Sequence, residues 1–185
     1  IAFWGAPLDQ PNHATLCCHA AVEMQQYMFQ MRERLAREGR AELRVRMGIN
    51  SGRMVVGNMG SKQRMDYTIM GDAVNLAARL EGANKFYTSD TMISDATFNL
   101  AKNDIDCRVL DTVRVIGKKE PVTIYQLLGK KGEVTGKMAE LLTHYTAGLE
   151  QYRARNYKEA IGHFEKALAK VPGDGPSKTY MERCN

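Results

Sequence analysis

Asn75 and Arg79 stand four residues apart in "MDYTIMGDAVNLAARLEG", residues 65–82. If the stretch is helical, that spacing puts an amide and a guanidinium on one face, a turn apart. Val74, Leu76, Ala77, Ala78 and Leu80 supply the apolar packing for the rest of the helix. On this helix alone, a solvated polar face explains the pair as well as chemistry does. Other residues weigh toward chemistry: Arg46 in "LRVRMGI", Thr68 leading into Gly71, and Lys118 and Lys119 in the turn "GKKEP". Two guanidiniums, an ammonium and an amide gathered on one sheet face suit a nucleoside triphosphate. Arginine meets phosphate as a planar fork, and lysine adds a point charge.

The elements that must position these groups read as follows. "IAFWGAP" has the look of a short buried strand ended by Gly5 and Pro7. Asn12 can cap a helix running to about Glu38, with Gly39 just past its end. Leu16, Ala20, Met24, Tyr27 or Met28, Met31 and Leu35 recur at helical spacing, and this Met-rich stripe reads as core filling. In residues 43–49, Leu43, Val45, Met47 and Ile49 alternate with Arg44 and Arg46, the pattern of a strand with one covered and one open face. "RMVVG", the turn "NMGSK" and "RMDYTIM" form a hairpin. Gly71 breaks its second strand, and Asp72 can cap a helix from Ala73 to about Gly82. A short strand around Met92 and Ile93, a helix over 95–102, and strands over 107–116 and 122–128 complete the order. The expectation is an α+β sandwich with helices on one face of a largely antiparallel sheet.

Composition bounds the function. The 185 residues are 44% hydrophobic and 25% charged, which suits a globular chain. Nothing approaches the roughly 18–20 apolar residues of a membrane span. Cys17, Cys18, Cys107 and Cys184 form no C-x-x-C pair, and His13, His19, His144 and His163 show no metal spacing. A net charge of +5, with basic residues spread along the chain, fits a phosphorylated small molecule and does not call for nucleic acid. The composition shifts at "GKKGEVTG", so residues 1–128 read as a catalytic domain, 129–136 as a linker and 137–185 as a helical tail. Gly148, Ala160, Phe164, Ala167 and Pro172 match the offsets of one tetratricopeptide repeat, though Gln151 occupies an aromatic position. A lone repeat must dock on the catalytic domain, on a protein partner or on a second copy.

The run "RVRMGINSGRMVVGNMGSKQRMDYTIMGDAVNLAARLEG", with "AFWGAP" and "GKKEPVTIYQL", resembles the catalytic domain of class III nucleotidyl cyclases over residues 1–128. It is most similar to bacterial adenylate cyclases with a sensory or membrane N-terminal half. The resemblance implies a ferredoxin-like βαββαβ-type sandwich, its N-terminal part missing, followed by a C-terminal helical hairpin. It implies conversion of ATP to 3′,5′-cyclic AMP and pyrophosphate by in-line attack of the ribose 3′-hydroxyl on the α-phosphate. Two Mg²⁺ or Mn²⁺ ions would assist.

Carried over residue by residue, Asn75 orients the ribose and Arg79 stabilises charge on the α-phosphate. Arg46 and Lys118 match triphosphate-binding positions, with Lys119 as the alternative alignment. Thr68 falls at a base-recognition position. A hydroxyl can donate or accept, so Thr68 alone does not decide ATP over GTP. Asp66 and Asp72 do not match the metal positions. The family's metal aspartates are expected upstream of Ile1, so this chain by itself is expected to be inactive. The resemblance further implies a homodimer with composite sites and a cytoplasmic catalytic domain, with a membrane-anchored sensor as one setting. Guanylate cyclase activity and a catalytically inactive nucleotide-binding module are the alternatives. A diguanylate cyclase ranks low, since its G-G-D/E-E-F turn is absent.

Overall fold

The computed structural model describes residues 1–61, 63–114 and 121–185. The element order is α1 (His13–Arg37), β1 (Met47–Ile49), β2 (Val55–Ser61), β3 (Arg64–Met70), α2 (Asp72–Tyr87), β4 (Thr91–Ser94), α3 (Asp95–Ala101), β5 (Ile105–Val113), β6 (Val122–Lys130), α4 (Gly136–Arg153), α5 (Tyr157–Lys170) and α6 (Gly175–Cys184). Four strands form one sheet in the order β1-β4-β6-β5. The β1–β4 pairing is parallel, and the β4–β6 and β5–β6 pairings are antiparallel. β2 and β3 form a separate antiparallel hairpin, from Val55 opposite Met70 to Ser61 opposite Arg64. The α+β class read from the sequence stands.

The sheet is covered on both faces, which corrects the expectation of one open face. Successive strand residues point to opposite sides, and β4 is buried at all four positions. Its Met92 joins a core with Leu76 and Leu80 of α2, Leu110, Ile124, and Tyr145, Phe164 and Tyr180 of the C-terminal helices. Its neighbour Ile93 joins the other core, with Ala14, Cys18, Ala21 and Val22 of α1, Ala101 and Leu127. The alternation in residues 43–49 gave a misleading signal, because only Met47–Ile49 pair as strand.

Four other expectations are corrected. Residues 1–5 form no strand and are partly or fully exposed; Phe3 instead sets its ring 5.9 Å from that of Tyr67. Helix α1 ends where Gly39 stops it, at φ +67°, but its N-terminal half buries a different stripe. Ala14, Cys18, Ala21 and Val22 face the sheet, while Leu16, Met24 and Tyr27 are exposed. Small side chains let the helix approach the sheet closely there; Met24 and Tyr27 are turned outward, while Met28 and Met31 of the expected stripe are half-buried and its Leu35 is buried. Helix α2 does not stop at Gly82. It runs on to Tyr87, because Asn84 and Tyr87 continue the buried Leu76–Leu80 stripe and tertiary packing overrides the low propensity of one glycine. Its N-cap is Gly71, at φ +141°; Asp72 sits in the first turn and makes no side-chain cap bond.

Beyond β6, α4 and α5 pair through a three-residue connection, residues 154–156, and a third helix, α6, follows. Tyr145, Phe164 and Tyr180 lie in one core with Leu76, Leu80 and Met92. The tail is thus packed against the sheet and α2.

Candidate functional site

Helix α2 carries the proposed chemistry, and its placement is set at three points. At its start, the Asn50 side-chain amide donates to Ala73 O (2.9 Å), while Ser94 Oγ donates to Asn50 Oδ1 (2.6 Å). Ser94 also caps α3 by accepting from the Thr97 N–H, so one small network ties the ends of β1 and β4 to the first turns of both helices. In the middle, Gly48 of β1 lies against the α2 backbone. A Cβ there would come within 2.1 Å of Ala77 O and 2.3 Å of Glu81 N, so no larger residue permits this approach. Toward the end, buried Asn84 donates from Nδ2 to Met47 O (2.9 Å) and accepts at Oδ1 from Ser89 Oγ (2.7 Å). A buried amide with its donors and acceptor satisfied fixes register more sharply than an apolar side chain would.

With Leu76, Leu80, Asn84 and Tyr87 turned inward, α2 leaves Asp72, Asn75, Ala78 and Arg79 exposed. Asn75 and Arg79 therefore share an accessible helix face, one turn apart. Arg46 reaches the same helix from the residue before β1, where its Nε lies 3.1 Å from Glu81 Oε1. Both partners are over one-third exposed, so the pair is worth at most about 1 kcal/mol. Thr68 is half-buried on β3, opposite Gly57, in the separate hairpin that leads through Gly71 into α2. Lys118 and Lys119 lie outside the described residues. The structure thus brings Asn75, Arg79 and Arg46 onto or beside one helix and places Thr68 on the strand that feeds it.

Sequence reasoning missed Glu81, Asn84 and Gly48. Asn84 left one signal: it continues the i, i+4 series Leu76–Leu80 at a position where an apolar residue was due. Gly48 left none, because a close backbone approach has no local signature.

Among the described residues, no group of three or more His, Cys, Asp or Glu side chains could hold a metal ion. Asp66 is exposed and lies 3.5 Å from Arg64, and Asp72 is exposed at the start of α2. Cys17, Cys18 and Cys107 are removed from reactivity as well. Burial pushes Cys17 up to about 11 and Cys107 to about 12, and raises Cys18 further, so none is a thiolate near neutral pH.

Residues 1–129 match the family model described as the adenylate and guanylate cyclase catalytic domain. The chain is 35% identical over 142 residues to the terminal-differentiation-specific adenylate cyclase of Dictyostelium discoideum, covering 75% of this chain and 7% of that protein. It therefore spans a small part of that relative. Among solved structures, the adenylyl cyclase CyaB of P. aeruginosa superposes with a TM-score of 0.62 at 36% identity, over 71% of this chain and 68% of that one. The guanylyl cyclase Cya2 superposes with the same TM-score of 0.62 at 32% identity, over 70% of this chain and 65% of that one.

Proposed function

Because the chain belongs to the adenylate and guanylate cyclase catalytic domain family, we propose that it supplies the Asn75/Arg79 part of an adenylate cyclase site. The carrying observation is the exposed face of α2 with Asn75 and Arg79 one turn apart, inside the matched residues. The substrate is ATP. Its ribose 3′-oxygen forms a new bond to the α-phosphorus as the bond to pyrophosphate breaks in line. Asn75 orients the ribose by hydrogen bonding. Arg79 meets the charge that builds on the α-phosphate oxygens as bonding changes, a preorganised donor where charge develops.

Arg46 contributes on binding. Its exposed pair with Glu81 is weak enough to be exchanged for a phosphate at little cost. Thr68 contacts the base edge, and Lys118 or Lys119 the triphosphate. The choice of ATP is supported by the adenylate cyclase relatives and the slightly higher identity to CyaB. The sites are shared between two copies of the chain. Divalent ions belong to the chemistry of this family.

The test uses the full-length protein. Arg79→Ala should lower kcat by about 10²–10³, as loss of one oxyanion-type donor does, and should move KM less. Thr68→Cys should erode the preference for ATP over GTP more than it lowers total turnover. Mixing the Arg79→Ala protein with a variant lacking a metal carboxylate should restore roughly a quarter of wild-type activity, since a mixed dimer regains one intact site. Equal rates on ATP and GTP would replace the adenylate reading with a nucleotidyl cyclase of broad specificity. A preference for GTP would make it a guanylate cyclase. Nucleotide binding without turnover by the full-length protein would make it a binding module.

A further inference from the structure

The C-terminal helices meet the catalytic helix at its last turn. Helix α2 is capped at its C-terminus by Thr88, a non-glycine residue in the left-handed region at φ +49°. The first residue of α6, Gly175, lies directly against that turn. A Cβ on Gly175 would come within 2.6 Å of Thr88 Cβ, Thr88 O and Tyr87 O. Two of those three atoms are backbone carbonyl oxygens, so nothing there can rotate away.

Around this contact the seam is polar and bonded. Tyr87 of α2 donates its hydroxyl to Asp111 Oδ2 (2.6 Å), and Arg183 of α6 donates to the same oxygen (3.0 Å). Thr179 of α6 donates to Phe86 O (3.2 Å). Burial and the bond to Asp111 push the Tyr87 hydroxyl up to about 12, so it stays a donor across the physiological range. Helix α6 is itself anchored, because its N-cap Asp174 forms a buried pair with Arg108 of β5.

We propose that α6 is a positioning element for the cyclase reaction. Through Gly175 and the Tyr87–Asp111–Arg183 cluster, it sets how the end of α2 seats on the sheet, and thereby where Asn75 and Arg79 are presented. This rests on the catalytic reading of Asn75 and Arg79. From Tyr87 back to Arg79 is about 12 Å of helix at 1.5 Å per residue. A displaced last turn is therefore transmitted along a stiff rod that is also held by Gly48 and Asn84. Close-packed interiors pass such strain on without absorbing it. The C-terminal helices thus act on the site without contributing a residue to it, and anything that binds or displaces them acts on turnover.

The test compares Gly175→Ala, Arg183→Gln and Lys170→Ala in the full-length protein. Lys170 pairs with Glu140 inside the helical tail. Gly175→Ala should lower kcat about tenfold, the scale of a sub-ångström misplacement of catalytic groups, with KM for ATP within about twofold by the same reasoning. Amide exchange over 72–87 should accelerate while exchange in α4 stays unchanged. Arg183→Gln should show the same split with a smaller loss, and it decides the matter if Gly175→Ala does not fold. Lys170→Ala should leave kcat and α2 exchange as in the wild type. Folded Gly175→Ala and Arg183→Gln proteins with wild-type kcat and unaltered α2 exchange would overturn the proposal. The Arg79→Ala variant separates the two readings. If it turns over at the wild-type rate, the catalytic reading fails. If it is dead while Gly175→Ala is fully active, only the positioning role fails.

Discussion

Aromatic side chains meet opposite fates in two regions of this molecule. Between β5, α2 and the C-terminal helices, Tyr145, Phe164 and Tyr180 are essentially fully buried, with the Phe164 and Tyr180 rings stacked at 5.7 Å. On α1 and the β2–β3 hairpin, Tyr27, Phe29 and Tyr67 are more than half exposed. Met24, Tyr27, Met28, Val45 and Met47 line a concavity of about 430 Å³ at the β1 edge. What differs is whether another element, among the described residues, lies opposite.

Polar groups follow the same division. In the C-terminal region the Arg108 side chain is only 3% exposed, yet it gives two bonds to Asp174 (2.6 and 3.0 Å) and two to Gln126 (2.7 and 2.9 Å). Its guanidinium also lies 4.6 Å from the centre of the Tyr145 ring. Asp174 accepts further bonds from the N–H and hydroxyl of Ser177. On the α1 side, ion pairs such as Arg44–Glu42 are exposed and worth little. The first region is closed by its own helices, and the second presents apolar surface.

The largest test of this contrast is Asp174→Ala. It leaves the Arg108 guanidinium buried without its counter-charge and should cost about 3–5 kcal/mol in urea unfolding. A loss under about 1 kcal/mol would mean the pair is not what holds α6 down.

Next comes a matched pair of truncations. Phe164→Ala should cost about 3–5 kcal/mol, whereas Phe29→Ala should stay within about 0.5 kcal/mol. Equal costs would erase the difference between the regions.

Asn84→Ala should cost about 1–3 kcal/mol, because Met47 O and Ser89 Oγ lose their partner in a buried setting. It should also loosen α2 toward hydrogen exchange.

The smallest effect is a pH dependence at Asp111. Burial alone would raise its carboxyl. Bonds from Tyr87, the Thr112 N–H and Arg183 outweigh that and hold it below the ordinary 3.8. A depressed folded-state pKa means its stabilisation is complete above the ordinary value and is lost as pH falls through the folded one. Acid unfolding of Asp111→Asn should therefore be flatter below about pH 4 than that of the wild type. Identical acid profiles would show that Asp111 contributes no linked stability.

Much of the site was legible from local pattern. The adjacency of Asn75 and Arg79 follows from helical periodicity alone, and the stop at Gly39 from turn chemistry; the β2–β3 hairpin was legible but its turn was misplaced, because residues 58–61, read as turn, pair as strand down to Ser61 opposite Arg64. The family resemblance assigned roles to Arg46, Thr68, Lys118 and Lys119, yet no spacing along the chain reveals that Arg46 rests against Glu81.

Helix α1 shows the limit most clearly. Its sequence offers two apolar stripes, Leu16–Met24–Tyr27 and Ala14–Cys18–Ala21–Val22, and periodicity cannot choose between them. The sheet chose the smaller side chains, because they allow closer contact. Gly48 and Gly175 are unremarked in the sequence, and each became indispensable only where another helix crossed it. Arg108 and Asp174 lie 66 residues apart, so no window along the chain pairs them. What the sequence determined by itself is what lies within a few residues of itself: helix, turn and the face a side chain shares with its neighbours. The tertiary structure decided which face is buried and which charges meet. Those depend on elements far apart in the chain being packed at the same place, as Arg108, Gln126 and Asp174 are.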